Sequence, residues 1–166
     1  MKIFTNLLIL LLAGISYAQD STSFYILKYS TPSSVINIFS EKKLDSLYSF
    51  SYHLNPFYLR GDFNGDEDND IAIPIKEKAR DKIGFAIIHS STKNVFIIGA
   101  GQVFNSIDDF KEFNIWSVAT DSIYKSHWEK KSLKLKHESI NIGVFECTSG
   151  LIYWDGKEYK WYQMAD

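Results

Sequence analysis

The chain has 166 residues, 45% of them hydrophobic and 16% aromatic, with 18 basic and 20 acidic side chains and a formal net charge of −2. That length builds one sizeable core without staples. A slightly acidic balance with only two arginines, Arg60 and Arg80, argues against nucleic-acid binding, and one cysteine, Cys147, rules out an intramolecular disulfide framework.

The first eighteen residues read as an export signal. Lys2 supplies a positive start, and residues 3–15 are apolar apart from Thr5, Asn6 and Gly14. Ser16-Tyr17-Ala18 then places small residues three and one positions before a cut at Gln19. The apolar run is shorter than the roughly twenty residues that span a bilayer, and no cysteine follows it for acylation. No stable membrane anchor is expected after cleavage, so residues 19–166 form a single exported domain, periplasmic or extracellular.

Period-two alternation dominates that domain. Residues 24–29 are aromatic and β-branched and predict a strand. Pro32-Ser33-Ser34 opens a helix to about Leu44, with Val35, Ile36, Phe39 and Lys43 at helical spacing. Residues 47–52 alternate Tyr48, Phe50 and Tyr52 with serine, as a half-buried strand does. Asn55-Pro56 marks a turn. Strands are expected over 71–75, 83–89 and 95–100, the last two as a hairpin, with a charged connection over 76–82.

Residues 108–114 predict one or two helical turns, and 116–120 reads extended. In 132–137, Leu133 and Leu135 alternate with Lys134 and Lys136. Residues 141–147 form another strand, which would make Cys147 a small buried hydrophobe. Gly150 is expected to break the chain before a hairpin of 151–154 and 158–162, turned at Asp155-Gly156 with positive φ at both residues. About nine strands and one or two short helices describe a mainly antiparallel β domain, as a sandwich or a partly open barrel.

Residues 62–72 hold the one stretch with chemistry in it. Oxygen-bearing side chains stand at Asp62, Asn64, Asp66, Asp68 and Asp70, every second residue, and five acidic groups fall within nine positions. Such a density of like charge calls for an offsetting cation, and calcium takes six to eight oxygens from a flexible loop. Counting from Asp62, ligands fall at positions 1, 3, 5 and 9, and the Asp68 carbonyl is available at position 7. Position 12, glutamate in a helix–loop–helix site, is Ile73. Apolar strand residues flank the loop on both sides, so it joins two β-strands. The alternative is a solvated acidic turn without a metal.

Asp62-Phe63-Asn64-Gly65-Asp66 followed by Asp70-Ile71-Ala72 resembles the FG-GAP/VCBS family of calcium loops over about residues 58–76. The resemblance implies Ca2+ held by the Asp62, Asn64, Asp66 and Asp70 side chains and the Asp68 carbonyl. The family's large members are β-propellers of several blades, an architecture one loop does not imply here. The family has glycine just after the third ligand; this chain has Glu67. A left-handed backbone at that position would cost about 1–2 kcal/mol.

Five aromatics crowd the C-terminal hairpin: Tyr153, Trp154, Tyr159, Trp161 and Tyr162. Core packing is the simpler reading and a stacking platform the functional one. The histidines His53, His89, His127 and His137 show no metal spacing, and no nucleophile motif is present. The lysine-rich stretch 125–136 reads as the solvated face of a strand. These features predict an exported calcium-binding β domain that serves as an interaction module for a protein or glycan, its metal structural. An inhibitor or immunity-type protein that blocks a secreted enzyme is the second reading, and a carboxylate-dependent hydrolase the third.

Overall fold

The computed structural model describes residues 29–120, 123–126 and 132–165. The chain separates into two compact units, Met1–Pro32 and Ser33–Asp166. In the first, the expected export signal and most of the expected strand 24–29 lie outside the described residues, and Tyr29 is helical rather than extended. No helix among the described residues is long and apolar enough to cross a membrane.

The second unit opens with helix α1 (Ser33–Glu41). Val35, Ile38 and Phe39 form its buried stripe, the i, i+3, i+4 spacing of one helix face. Ile36, expected on that face, instead turns outward. The helix ends where Lys43 enters the left-handed region (φ 57°), and a 3-10 turn, Leu44–Ser46, leads on.

Five strands make the first sheet: β1 (Tyr48–Phe50), β2 (Leu59–Gly61), β3 (Asp70–Glu77), β4 (Ile83–Ile88) and β5 (Val95–Gly99). β1 and β2 pair with opposite halves of β3, and β4 and β5 follow in order, all antiparallel. The Asn55-Pro56 peptide between β1 and β2 is cis. The second sheet runs β11 (Tyr159–Ala165), β10 (Thr148–Trp154), β9 (Ser139–Val144), β6 (Ile115–Ala119). A short ribbon pairs β7 (Ile123–Tyr124) with β8 (Leu133–Lys134).

The architecture is an antiparallel β sandwich and not a closed barrel. One core lies between the sheets, with Ala72, Phe85, Ile87 and Ile98 from the first against Trp116, Ile140, Ile142 and Ile152 from the second. α1 covers the outer face of the first sheet, over Ile71, Ile73, Ile75, Ala86 and Ile88. β3 and β4 are therefore buried on both faces, and their sequences are continuous apolar runs instead of alternating ones. The outer face of the second sheet carries Ala119, Leu151 and Tyr162 packed with Tyr124 and Leu133 of the ribbon.

Four local expectations are corrected. Residues 108–114 form turns, not a helix, because Phe110 N–H bonds the Ile83 carbonyl and Asp109 accepts from Ile83 and Lys111. These bonds tie the segment to β4 and seat Phe110 and Phe113 in the core. Gly150 sits inside β10 at a register shift, and Trp161 lies over it: a Cβ there would be 2.1 Å from the indole. At the β10–β11 turn only Gly156 has positive φ, and Asp155 Oδ1 accepts the N–H groups of Lys157 and Glu158. Cys147 is exposed, because β9 ends at Val144 and the next three residues form the turn.

Candidate functional site: the acidic loop between the sheets

The loop leaves β2 at Gly61 and enters β3 at Asp70, joining two strands as expected. Its carboxylates fold inward onto its own backbone. Asp62 Oδ1 accepts N–H from Gly65 (2.6 Å) and Asp66 (3.1 Å), and its Oδ2 accepts Glu67 N–H (3.1 Å). Asn64 Oδ1 accepts Asp66 N–H (2.9 Å), and Asp66 Oδ1 accepts Asp68 N–H (3.0 Å). These side chain to backbone bonds are the local geometry that aspartate and asparagine favour in turns. Gly65 (φ 84°) and Glu67 (φ 69°) both take the left-handed conformation. The position where the resembled family has glycine thus does require positive φ, and Glu67 carries the strain.

Asp70 is the anchor. It is fully buried. Its Oδ2 accepts Phe63 N–H (3.2 Å) and its Oδ1 accepts Ser90 N–H (2.9 Å), so one carboxylate joins the loop to the β4–β5 turn. Burial pushes its pKa up from 3.8 to about 6; the Ser90 and Phe63 N–H groups oppose this, and the charges of Asp66 and Asp62 reinforce it. Asp66 is exposed. Ser91 and Asn64 side-chain bonds, then Asp68 N–H, hold its carboxyl below the usual range.

The loop also reaches the second sheet. Asp62 N–H donates to Glu138 Oε2 (2.8 Å), one residue before β9. Gly61 permits that approach, since a Cβ would lie 2.6 Å from the same oxygen. His137 packs on Gly65, its ring 3.0 Å from where a Cβ would stand. Beneath lies a buried pair across the sandwich, His89 Nε2 to Tyr159 Oη at 2.7 Å, enclosed by Phe96 and Trp154. Burial lowers the His89 pKa and raises that of Tyr159, the latter aided by the charges of Asp70, Asp62 and Asp66.

The structure thus brings Asp62, Asn64, Asp66 and Asp70 into one loop network, with Asp68 exposed beside it. Among the described residues no group of three or more His, Cys, Asp or Glu side chains is gathered closely enough to hold a metal as placed. The donor chemistry nonetheless fits a hard cation. Every candidate donor is oxygen, and a carboxylate has about four acceptor sites, more than the bonds above use on Asp62 or Asp70. None of the ion pairs between described residues involves a loop carboxylate.

Sequence reasoning missed Glu138, Ser90, Ser91 and the His89–Tyr159 pair. Each comes from a distant segment, and no local pattern marks them. His53 bonds the Phe113 carbonyl through Nε2 (2.8 Å), and His127 lies outside the described residues, as do residues 127–131 of the lysine-rich stretch. The C-terminal aromatics are not an exposed platform: Tyr159 and Tyr162 are buried, and Trp154 and Trp161 pack on the core between the sheets. No family model, curated protein or solved structure matches the chain.

Proposed function

We propose that this chain is an exported β sandwich stabilised by a structural calcium loop, and that it acts as an interaction module for a protein or glycan outside the cytoplasm. One observation carries the metal reading. The loop concentrates four acidic residues around a fifth, Asp70, a fully buried carboxylate with a raised pKa, and none of the ion pairs between described residues supplies a cation to it. A divalent cation held by Asp62, Asn64, Asp66, Asp70 and the Asp68 carbonyl would supply charge neutralisation. The residues do the rest: Asp70 ties β2, β3 and the β4–β5 turn together, and Asp62 ties the loop to Glu138. Metal binding would therefore stiffen the junction between the sheets and present the neighbouring loops in one arrangement.

Export rests on the sequence pattern of residues 1–18. Calorimetric titration of calcium into the chain and into Asp66→Ala tests the site. Asp66 is exposed, so its removal spares the core. Single-site binding that weakens at least tenfold in the variant is expected. Absence of heat from both proteins, with no change in thermal midpoint between calcium and chelator, would reduce the loop to a solvated turn. A ligand confined to the folded state adds about 2.7 kcal/mol at a hundredfold excess over Kd.

A further inference from the structure

β5 is an edge strand among the described residues, with no strand paired to its outer backbone. It pairs with β4 through Ile88↔Val95, Ile87↔Phe96, Ala86↔Ile97, Phe85↔Ile98 and Gly84↔Gly99. His89 N–H bonds the Asn94 carbonyl and Ala100 N–H bonds the Ile83 carbonyl, which sets the phase of the ladder. Antiparallel ladders alternate, so Phe96 and Ile98 bond inward to β4, while Val95, Ile97 and Gly99 direct N–H and C=O outward. The Gly99 carbonyl is taken: it accepts Gln102 N–H at 2.9 Å, as though a further strand were starting. The chain then leaves the edge, and Phe104 pairs with Ile107 instead.

What remains is a groove of about 410 Å³ between residues 95–98 and 102–104, with Phe96, Ile98, Phe104 and Tyr159 in its lining. The outward N–H and C=O groups of Val95 and Ile97 have no backbone partner among the described residues. Two residues apart on a strand they stand about 6.8 Å from one another, the repeat that another extended backbone matches. The charge at one end is also defined. Ser91, in the turn that opens β5, donates to Asp66, so the acidic loop lies at the Val95 end of the groove. Glu67 and Asp68 are exposed there, their side-chain carboxylates lie outside the proposed metal donors, and no ion pair between described residues involves them.

We propose that this edge captures an extended peptide segment, which adds as a strand antiparallel to β5. Alternate apolar side chains enter the groove, and basic residues at the peptide's C-terminal end lie over the acidic loop. Strand addition of this kind takes affinity from main-chain hydrogen bonds and specificity from the pockets for alternate side chains. The inference rests on reading the chain as an interaction module, and it names a polypeptide rather than a glycan as the partner.

The probe is acetyl-Val-Thr-Val-Thr-Val-Lys-Lys-amide, labelled for fluorescence anisotropy and added to the full chain in calcium. Saturable binding with a Kd of about 100 μM is expected. On binding, the Val95 and Ile97 amides should exchange at least tenfold more slowly. Ile97→Pro removes an outward N–H without touching the β4 ladder, a kind of strand position where proline is tolerated, and should weaken binding at least tenfold. The same peptide with alternate amides N-methylated should also fail, with the protein unaltered. Exchanging its lysines for glutamates should weaken binding at least threefold.

No binding at about 1 mM peptide, or equal binding of the N-methylated peptide, would overturn the proposal. So would self-association in sedimentation that Ile97→Pro abolishes, which would assign the edge to a second copy of the chain. Calcium binding without peptide binding would leave the metal reading standing and remove this one alone.

Discussion

Glu67 stands at φ 69° with a side chain that carries a Cβ. That conformation costs a non-glycine residue about 1–2 kcal/mol. Two substitutions isolate the strain. Glu67→Ala and Glu67→Gly both delete the carboxylate, and both keep the N–H that donates to Asp62 Oδ2. They differ only in the Cβ. Glycine relieves the native strain but loosens the unfolded chain, which takes back about 0.4–1 kcal/mol. The glycine variant is therefore expected to exceed the alanine variant by about 0.5–1 kcal/mol, or about 2–4 °C in thermal midpoint for a domain of this size. Urea and thermal unfolding followed by tryptophan fluorescence, in chelator so that no metal contributes, measure the difference. Equal stability, or a more stable alanine variant, would refute the claim that backbone strain resides at this residue.

Three further outcomes follow from the packing and the charges. In chelator, the raised pKa of Asp70 means that the folded state binds its proton more tightly than the unfolded chain. The associated stability, about 3 kcal/mol for a pKa moved from 3.8 to about 6, is present in full below pH 3.8 and lost as pH rises through about 6. Urea titrations of the native chain and Asp70→Asn from pH 4 to 7 should show the stability of the native chain falling relative to the variant by up to about 3 kcal/mol as pH rises; a pH-independent difference would refute it. Gly150→Ala drives a Cβ to 2.1 Å from the Trp161 ring and should destabilise by about 1–3 kcal/mol with a shift in tryptophan emission, and unchanged emission and midpoint would count against that packing. Cys147, exposed on a turn, should react with a thiol reagent in the folded protein as fast as in denaturant to within about tenfold, and protection beyond that would place it in the interior.

Much of the fold is legible in the chain because it is written in short-range pattern. The hairpin of β4 and β5 follows from two apolar runs separated by polar turn residues, and the helix from the Val35, Phe39 spacing. The acidic loop was readable for the same reason: alternating oxygen donors between two apolar strands need no tertiary information. Elsewhere local pattern misled. Residues 108–114 resemble a helix until Phe110 and Asp109 bond Ile83. Gly150 looks like a chain break until Trp161 lies over it. Cys147 looks like a strand residue until β9 stops at Val144.

The sequence by itself determined the β class, the place of the helix, and an acidic loop of alternating oxygen-bearing side chains between two strands. Only the tertiary structure decided that the loop is pinned between sheets by Glu138, Ser90 and Asp70, that both faces of the aromatic hairpin pack against other residues, and that no strand among the described residues covers the outer backbone of β5. The physical reason is range. Turn chemistry and periodicity act over a handful of neighbours, whereas a buried carboxylate, a covered aromatic and an unpaired edge are properties of segments that meet only once the sheets have stacked.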